Sequence, residues 1–488
     1  MKKRNLYIAA LTSIAVLSGS CKRELLNPVP ETTVSIDFAF DTPFRIESQA
    51  ISLYTSLKSG TLYGGRYLVY GNVRGDDFIN ETSNLVTASD VWNMNVANSA
   101  TAVKTLWAQG YLTINRCNVF LDGMAAKGTS VVGATLAPGY IAEARLIRAL
   151  TYYSLLQLYA RPYVDGDGSK PGLPLRLTGV ISQGFSDLAR SSVADVYKQI
   201  LADLDFAETN LKSTNANATL NTTRAHKNTA IALKTRVYLS MGKYPEVILE
   251  ANKIVPAVAP FKAISGVANE MQPDITTVFK SPYTSTESVF SLPMGTSASP
   301  LDYPGTQNSL ASYFYFTNAT PGTTEFSLNA NGVVADVNWK ATDKRRSLVF
   351  KASSGKQFVS KFISPNPYTD WVPVIRWSEV LLNLAEARVR STNSIDPQAL
   401  LLLNAVRQRS DATTTLAPAS VADFTTALLN ERRIEFLGEG LRAPDLTRLL
   451  LPIPAKGGAP GKLPTESGYI WPISSDELSL NKLMTDNN

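Results

Sequence analysis

Histidine is almost missing from this chain. Its 488 residues include one, His226, and only two cysteines, Cys21 and Cys117. Zinc sites draw on His and Cys, and Ser-His-Asp chemistry needs a His beside its nucleophile, so both classes are poorly supported. His226 reads as a surface or helix-start residue. Charge is also sparse: 18% of residues are charged and 44% are hydrophobic, the balance of a globular chain. The net charge is +6, and Lys2, Lys3 and Arg4 supply half of it. Without residues 1–20, which hold no acid, 44 basic residues face 41 acidic ones, leaving +3. That balance, with no basic stripe, argues against nucleic acid as a partner. No segment after the N-terminus has ~18 uninterrupted apolar residues, so no membrane-spanning helix is expected there.

The N-terminus is built differently. "MKKRNLYIAALTSIAVLSGSC" has a basic start, an apolar stretch from Leu6 to Leu17, and small residues leading to Cys21. The layout is a secretory signal over residues 1–20, too short for a comfortable membrane span. A cysteine closing the small run gives it the form of a bacterial lipoprotein signal, with Cys21 the lipid-bearing residue. Residues 21–40, Pro-containing and polar, then read as a tether. With Cys21 so explained, Cys117 reads as a buried thiol.

The body shows helical period in several places. Val103, Trp107, Ile114 and Leu121 share one face. Ala142, Leu146, Ala149, Tyr153, Leu156 and Ala160 step by fours and threes. Val193, Tyr197, Ile200, Leu204, Ala207 and Leu211 do the same behind a Ser192–Asp195 capping signal. In residues 230–255 a helix, a Gly242 turn, Tyr244 and a second helix follow one another, which is the plan of a tetratricopeptide unit. Weaker pairs at 103–160 and 372–410 extend the stack. Between 256 and 370 the period changes: turn residues rise, aromatics scatter, and short strands fit 278–294 and 347–362. The expected fold is therefore mainly α. Tetratricopeptide-like helix pairs fill 41–255 and 371–450, an irregular, partly β insert fills 256–370, and a C-terminal segment fills 451–488. Together these make one domain over 41–488.

Six stretches, in order, resemble the SusD/RagB family of outer-membrane nutrient-binding lipoproteins. They are the signal ending at Cys21, "AEARLIRALTYYSLLQLYARP" (142–162), "PVIRWSEVLLNLAEA" (373–387), "LLNAVRQRS" (402–410), "ERRIEFLGEGLRAPDLTR" (431–448) and "WPISSDELSLN" (471–481). The resemblance implies a lipid-anchored protein on the outer face of the outer membrane. It would bind oligosaccharides, or in some members peptides, and pass them to a SusC-like TonB-dependent transporter. It also implies no catalysis and no cofactor. After Gly440 the sequence departs from the family pattern, reading Leu441-Arg442-Ala443-Pro444 where a basic residue and aromatics are usual.

Glu431, Glu435 and Glu439 repeat every four residues among Arg432, Arg433, Arg442 and Arg448. A general acid needs a raised pKa, and arginines act in the opposite direction. Neighbours on one helix also flank a sugar poorly. Glu431, Arg432, Glu435 and Arg442 are expected to form a structural ion-pair clasp, pinning the last helix to the "WPI" segment. Glu143, Arg145, Arg148, Glu379 and Glu386 are expected on solvated faces or in helix-to-helix pairs. "DGDGS" (165–169) reads as a turn, and no metal is expected.

Sugars present flat C–H faces ringed by hydroxyls, so a site needs aromatic platforms and polar partners. The ligand-binding candidates are Arg74, Asp77, Trp92 and Asn95 in 72–95, and Tyr303, Tyr313, Tyr315 and Trp339 in the insert. Trp107, Trp377, Tyr152 and Tyr153 lie on stripes and belong to the core. The alternatives are the same scaffold binding peptides and, behind it, a glycoside hydrolase or a plain protein-interaction scaffold. Trp92→Ala is expected to abolish ligand binding without unfolding the protein.

Overall fold

Apolar stripes need partners, and in the computed structural model they find each other. The structure describes residues 38–182, 184, 186–295, 303–317 and 324–487. Cys21, the signal and most of the tether lie outside these. Helix α1 (Pro43–Leu57) starts at Thr42, whose hydroxyl accepts from Arg45 N. Then come α2 (Arg66–Val73), α3 (Thr101–Gly123), α4 (Thr129–Tyr159), α5 (Val193–Asn210), α6 (Lys227–Ser240) and α7 (Tyr244–Ala251). After the insert follow α8 (Trp377–Thr392), α9 (Pro397–Ser410), α10 (Val421–Glu435) and the short α11 (Arg442–Thr447). From α3 to α9 each helix packs on the next, and α10 lies across α8 and α9.

The predicted helix pairs therefore exist, and so do their caps. Ser192 Oγ accepts from Asp195 N at 3.0 Å, and Asp396 caps α9 behind Pro397. Gly242 makes the turn between α6 and α7 with φ +67°, a conformation that favours glycine. Trp107, Trp377, Tyr152 and Tyr153 are buried, and Cys117 is a buried free thiol whose pKa burial raises to about 12.

The polar helix positions resolve in favour of helix-to-helix pairs. Arg148 of α4 forms a two-pronged pair with Asp203 of α5 at 2.8 Å on both prongs and reaches Asn118 of α3. Arg236 of α6 grips Glu379 of α8 at 2.6 Å twice, and Arg448 grips Glu386. Glu143 accepts from Tyr54 and Arg224. The Arg145 guanidinium lies 4.1 Å from the Phe206 ring centroid.

Among the described residues six short strands form three antiparallel pairs. They are β1 (Phe78–Asn80) with β3 (Phe326–Leu328), β2 (Ser288–Leu292) with β6 (Val372–Arg376), and β4 (Val349–Lys351) with β5 (Gln357–Val359). Two depart from expectation. Residues 372–376 were assigned to a helix but form β6, because Val372, Val374 and Ile375 suit a strand and β2 offers backbone partners. The helix starts only at Trp377, whose N–H bonds to Glu287 O. Strand β1 lies outside the insert and had no sequence signal of its own.

The acids of α10 are buried, and their partners are not the arginines beside them. Glu431 pairs with Arg345 and Arg407, and Glu435 with Arg345, Arg376 and Arg409. Glu439 pairs with Arg376 and Lys361. Asp343 and Glu287 complete the set, giving five acids and five bases with side chains 6% exposed or less. The neighbouring arginines face away: Arg432 and Arg448 bind Asp445, and Arg433 and Arg442 bind Asp76. The clasp thus joins α10 to α9, β6 and the insert, not to the "WPI" segment. Burial alone would raise the Glu435 carboxyl, but Arg409, Arg376 and Arg345 hold it well below the usual range.

Two predictions follow from this packing. Glu435→Ala leaves three guanidiniums short of a partner in a dry enclosure and should cost about 3–5 kcal/mol in denaturant unfolding. His226 begins α6 and is fully buried, a helix-start residue but not a surface one, with Nε2 donating to Val289 O at 3.0 Å. Burial lowers its pKa to about 4, so the unfolded chain takes up a proton near pH 6.5 and the folded chain does not. Stability should be complete above pH 6.5 and fall by about 3 kcal/mol as pH drops to 4. His226→Gln should remove that part of the pH dependence of Tm.

Candidate functional site

The two candidate stretches do meet, around the β1–β3 pair. Phe78 opposes Leu328, Ile79 opposes Ser327 and Asn80 opposes Phe326. Beneath the strands the rings of Phe78 and Phe314 lie 4.9 Å apart, and Tyr313 stacks on Phe326 at 19°. The large residues expected to face ligand form this floor. Trp92 is buried, its indole N–H bonded to Phe78 O at 2.7 Å and its ring against Gly457. A buried indole needs a partner for its N–H, and here the strand backbone supplies it. Tyr313 is buried, with its hydroxyl bonded to Gln307 O.

The expected polar ligands are walls. Arg74 is buried and donates to Tyr469 O at 2.6 Å; burial lowers its pKa to about 10. Lys456 bonds to Arg74 O, and burial pushes it down to about 7. Asp77 accepts both prongs of Arg433 and the N–H of Val333. Asp76 takes Arg442 at 2.7 Å and Arg433 at 2.8 Å. Burial opposes the Asp76 charge, but those arginines hold its pKa down. These contacts hold the start of β1, and both Arg74 and Asp77 are buried away from solvent.

Two candidates lie elsewhere. Trp339 is buried under the Arg346 guanidinium, 4.0 Å from its ring. Tyr303 stands beside Asn366. Asn95 is exposed and Tyr315 half-buried, so these two reach the surface.

What lines the open side was not among the candidates. Phe316 is half-buried, and its ring lies parallel to Phe358 at 4.4 Å and 8°. Phe350 adds a third ring at 6.1 Å. Beside them Glu81 accepts from Ser327 and from Lys356, and Glu325 accepts from Thr82. Phe358 is the central residue of β5 and Lys356 stands immediately before that strand; the apolar residue inside a short polar run is the signal that could have found it. An aromatic plane edged by carboxylates, an ammonium and hydroxyls can hold a hydroxyl-rich ring by its flat side and its rim.

A model of the SusD family matches residues 312–488, and one described as starch-binding associating with outer membrane matches residues 32–239. A SusD superfamily protein of Bacteroides fragilis superposes with a TM-score of 0.81 and 33% identity, over 92% of this chain and 100% of that one. The chain belongs to the SusD superfamily. Surface glycan-binding protein A from Bacteroides thetaiotaomicron, solved with laminarihexaose, shares the fold at 16% identity and a TM-score of 0.74, over 91% and 99% of the two chains. SusD-like protein P38 of Formosa agariphila is 23% identical over 249 residues, 50% of this chain and 44% of that relative's length.

As a SusD superfamily member the chain is a binding protein, not an enzyme. Its carboxylates fit that role, since those of α10 are saturated by guanidinium groups. Trp92→Ala should therefore destabilise the fold by about 3–5 kcal/mol. Phe316→Ala removes a half-buried ring and should cost only about 1 kcal/mol. Denaturant melts of the two variants check the contrast.

Proposed function

We propose that this chain is a lipid-anchored outer-membrane protein, exposed to the exterior, that binds oligosaccharides and delivers them to a SusC-like TonB-dependent transporter. The observation that carries the binding half is the half-buried Phe316 ring, backed by the buried Phe358 ring stacked against it, beside Glu81 and Lys356. A pyranose ring laid on Phe316 covers apolar C–H groups, and a carboxylate can accept from two neighbouring hydroxyls at once. The solved relative carrying laminarihexaose supports a glucan as the first ligand to try. A flat aromatic platform favours glycan over peptide, since a peptide is gripped mainly through its backbone.

Anchoring rests on Cys21, and the outer-membrane description of the matching family model supports it. No helix among the described residues is long and apolar enough to cross a membrane. Lipid at Cys21 would then hold the protein to the surface beside its transporter.

Calorimetric titration tests the binding half. Laminarihexaose should bind with measurable heat and be recovered uncleaved, Phe316→Ala should weaken it about tenfold, and peptides of similar size should give no signal. Peptide binding without glycan binding would reverse the choice. Cys21→Ala should move the protein from the membrane fraction to the soluble one.

A further inference from the structure

A second aromatic pair is carried by a different sheet, where β2 and β6 enter it. Trp371 immediately precedes β6, and Tyr283 lies in the turn that leads to β2. Their rings are parallel within 17°, 5.6 Å apart, and both residues are half-buried. The Tyr283 hydroxyl donates to Asp370 Oδ1 at 3.1 Å, and Asp370 also accepts from Ser364 N and Oγ. One end of the ring is thus held by a buried carboxylate and its face by the indole. Tyr283 takes φ +59°, and among the described non-glycine residues with positive φ it is the only aromatic. Such a conformation is strained for a bulky residue and persists where the surroundings enforce it.

The 364–371 segment gathers more of the same chemistry. The Tyr303 hydroxyl stands 3.5 Å from Asn366 Oδ1, and the Tyr368 hydroxyl 3.3 Å from Thr306 Oγ1, both in exposed contacts. The Trp371 indole N–H has no partner among the described residues, so a donor remains at the edge of the platform. Among the described residues no Lys or Arg side chain bonds to any of these groups, and Asp370 is already occupied. Flat rings, hydroxyls, an amide and no spare charge suit a neutral, hydroxyl-rich ring better than an anion.

We infer that Tyr283 and Trp371, with Tyr303 and Tyr368 at their margin, form a second platform for a neutral pyranose, so that a long glycan engages the chain at two places. The inference rests on the glycan reading of the β1–β3 face. Two weak sites on one rigid body raise the affinity for a chain that spans both, without new contacts at either.

The test uses the whole protein with laminarihexaose and with laminarin polymer. Wild type should bind two hexasaccharides, Trp371→Ala and Phe316→Ala one each, and either substitution should weaken polymer binding about tenfold or more. Trp371→Phe should restore most of the loss. Tyr303→Ala, which removes a half-buried ring outside the stacked pair, should weaken the polymer with an unchanged melting temperature. Hexasaccharide binding to wild type at a single site, with Trp371→Ala and Tyr303→Ala indistinguishable from it, overturns the second platform and leaves the first intact. No glycan binding by wild type overturns both.

Discussion

Five carboxylates and five cations share one dry enclosure between α9, α10, β6 and the insert, and the insert hangs from it. Glu287 stands just before β2, Asp343 and Arg345 just before β4, Lys361 just after β5, and Arg376 ends β6. The β2, β4, β5 and β6 passages are therefore tied by charge to Glu431, Glu435 or Glu439, or to an arginine that holds them. The set is electrically balanced, which is the condition under which buried ions are tolerated. Removing one member leaves an unpaired charge, so the arrangement is all-or-none and fixes one geometry for the loops.

The outward arginines of the same segment do the complementary work. Arg433 and Arg442 take Asp76 and Asp77, and so hold the start of β1. One helix thus grips the insert on one side and β1 on the other. The aromatic surface of Phe316 and Phe358 lies on the structure so joined, and Trp371 lies five residues before Arg376. Both faces are borne by rigid supports. A protein that holds a ligand without transforming it gains from such support, since little ordering remains to be done on binding.

Much of the scaffold was legible because helices declare themselves locally. A stripe at 3.6-residue period, a Ser or Asp cap and a Gly at the turn are all contained in a few neighbouring residues. The α6–α7 pair around Gly242 and the stripe of α4 needed nothing else. Strand β6 was hidden because its five residues are continuous with a helix and its evidence is the partner strand 80 residues away. The ion pairs were read as structural, but their partners were misassigned, since adjacency along the chain is a poor guide to which guanidinium fits which carboxylate.

The site was the least legible part. Trp92, Tyr313 and Trp339 are large and ringed by polar residues in sequence, which describes a platform and a capped core residue equally well. Only the tertiary structure decides between them: Gly457 and the Phe78 carbonyl close over Trp92, and Arg346 covers Trp339. Phe316 is held by the stack of Phe358, a residue 42 positions on, and Trp371 by that of Tyr283, 88 positions back. The sequence by itself determined the helical stack and its caps, because period and spacing are short-range properties. Which aromatics face outward was left to the fold, because exposure depends on which distant segment happens to cover a ring.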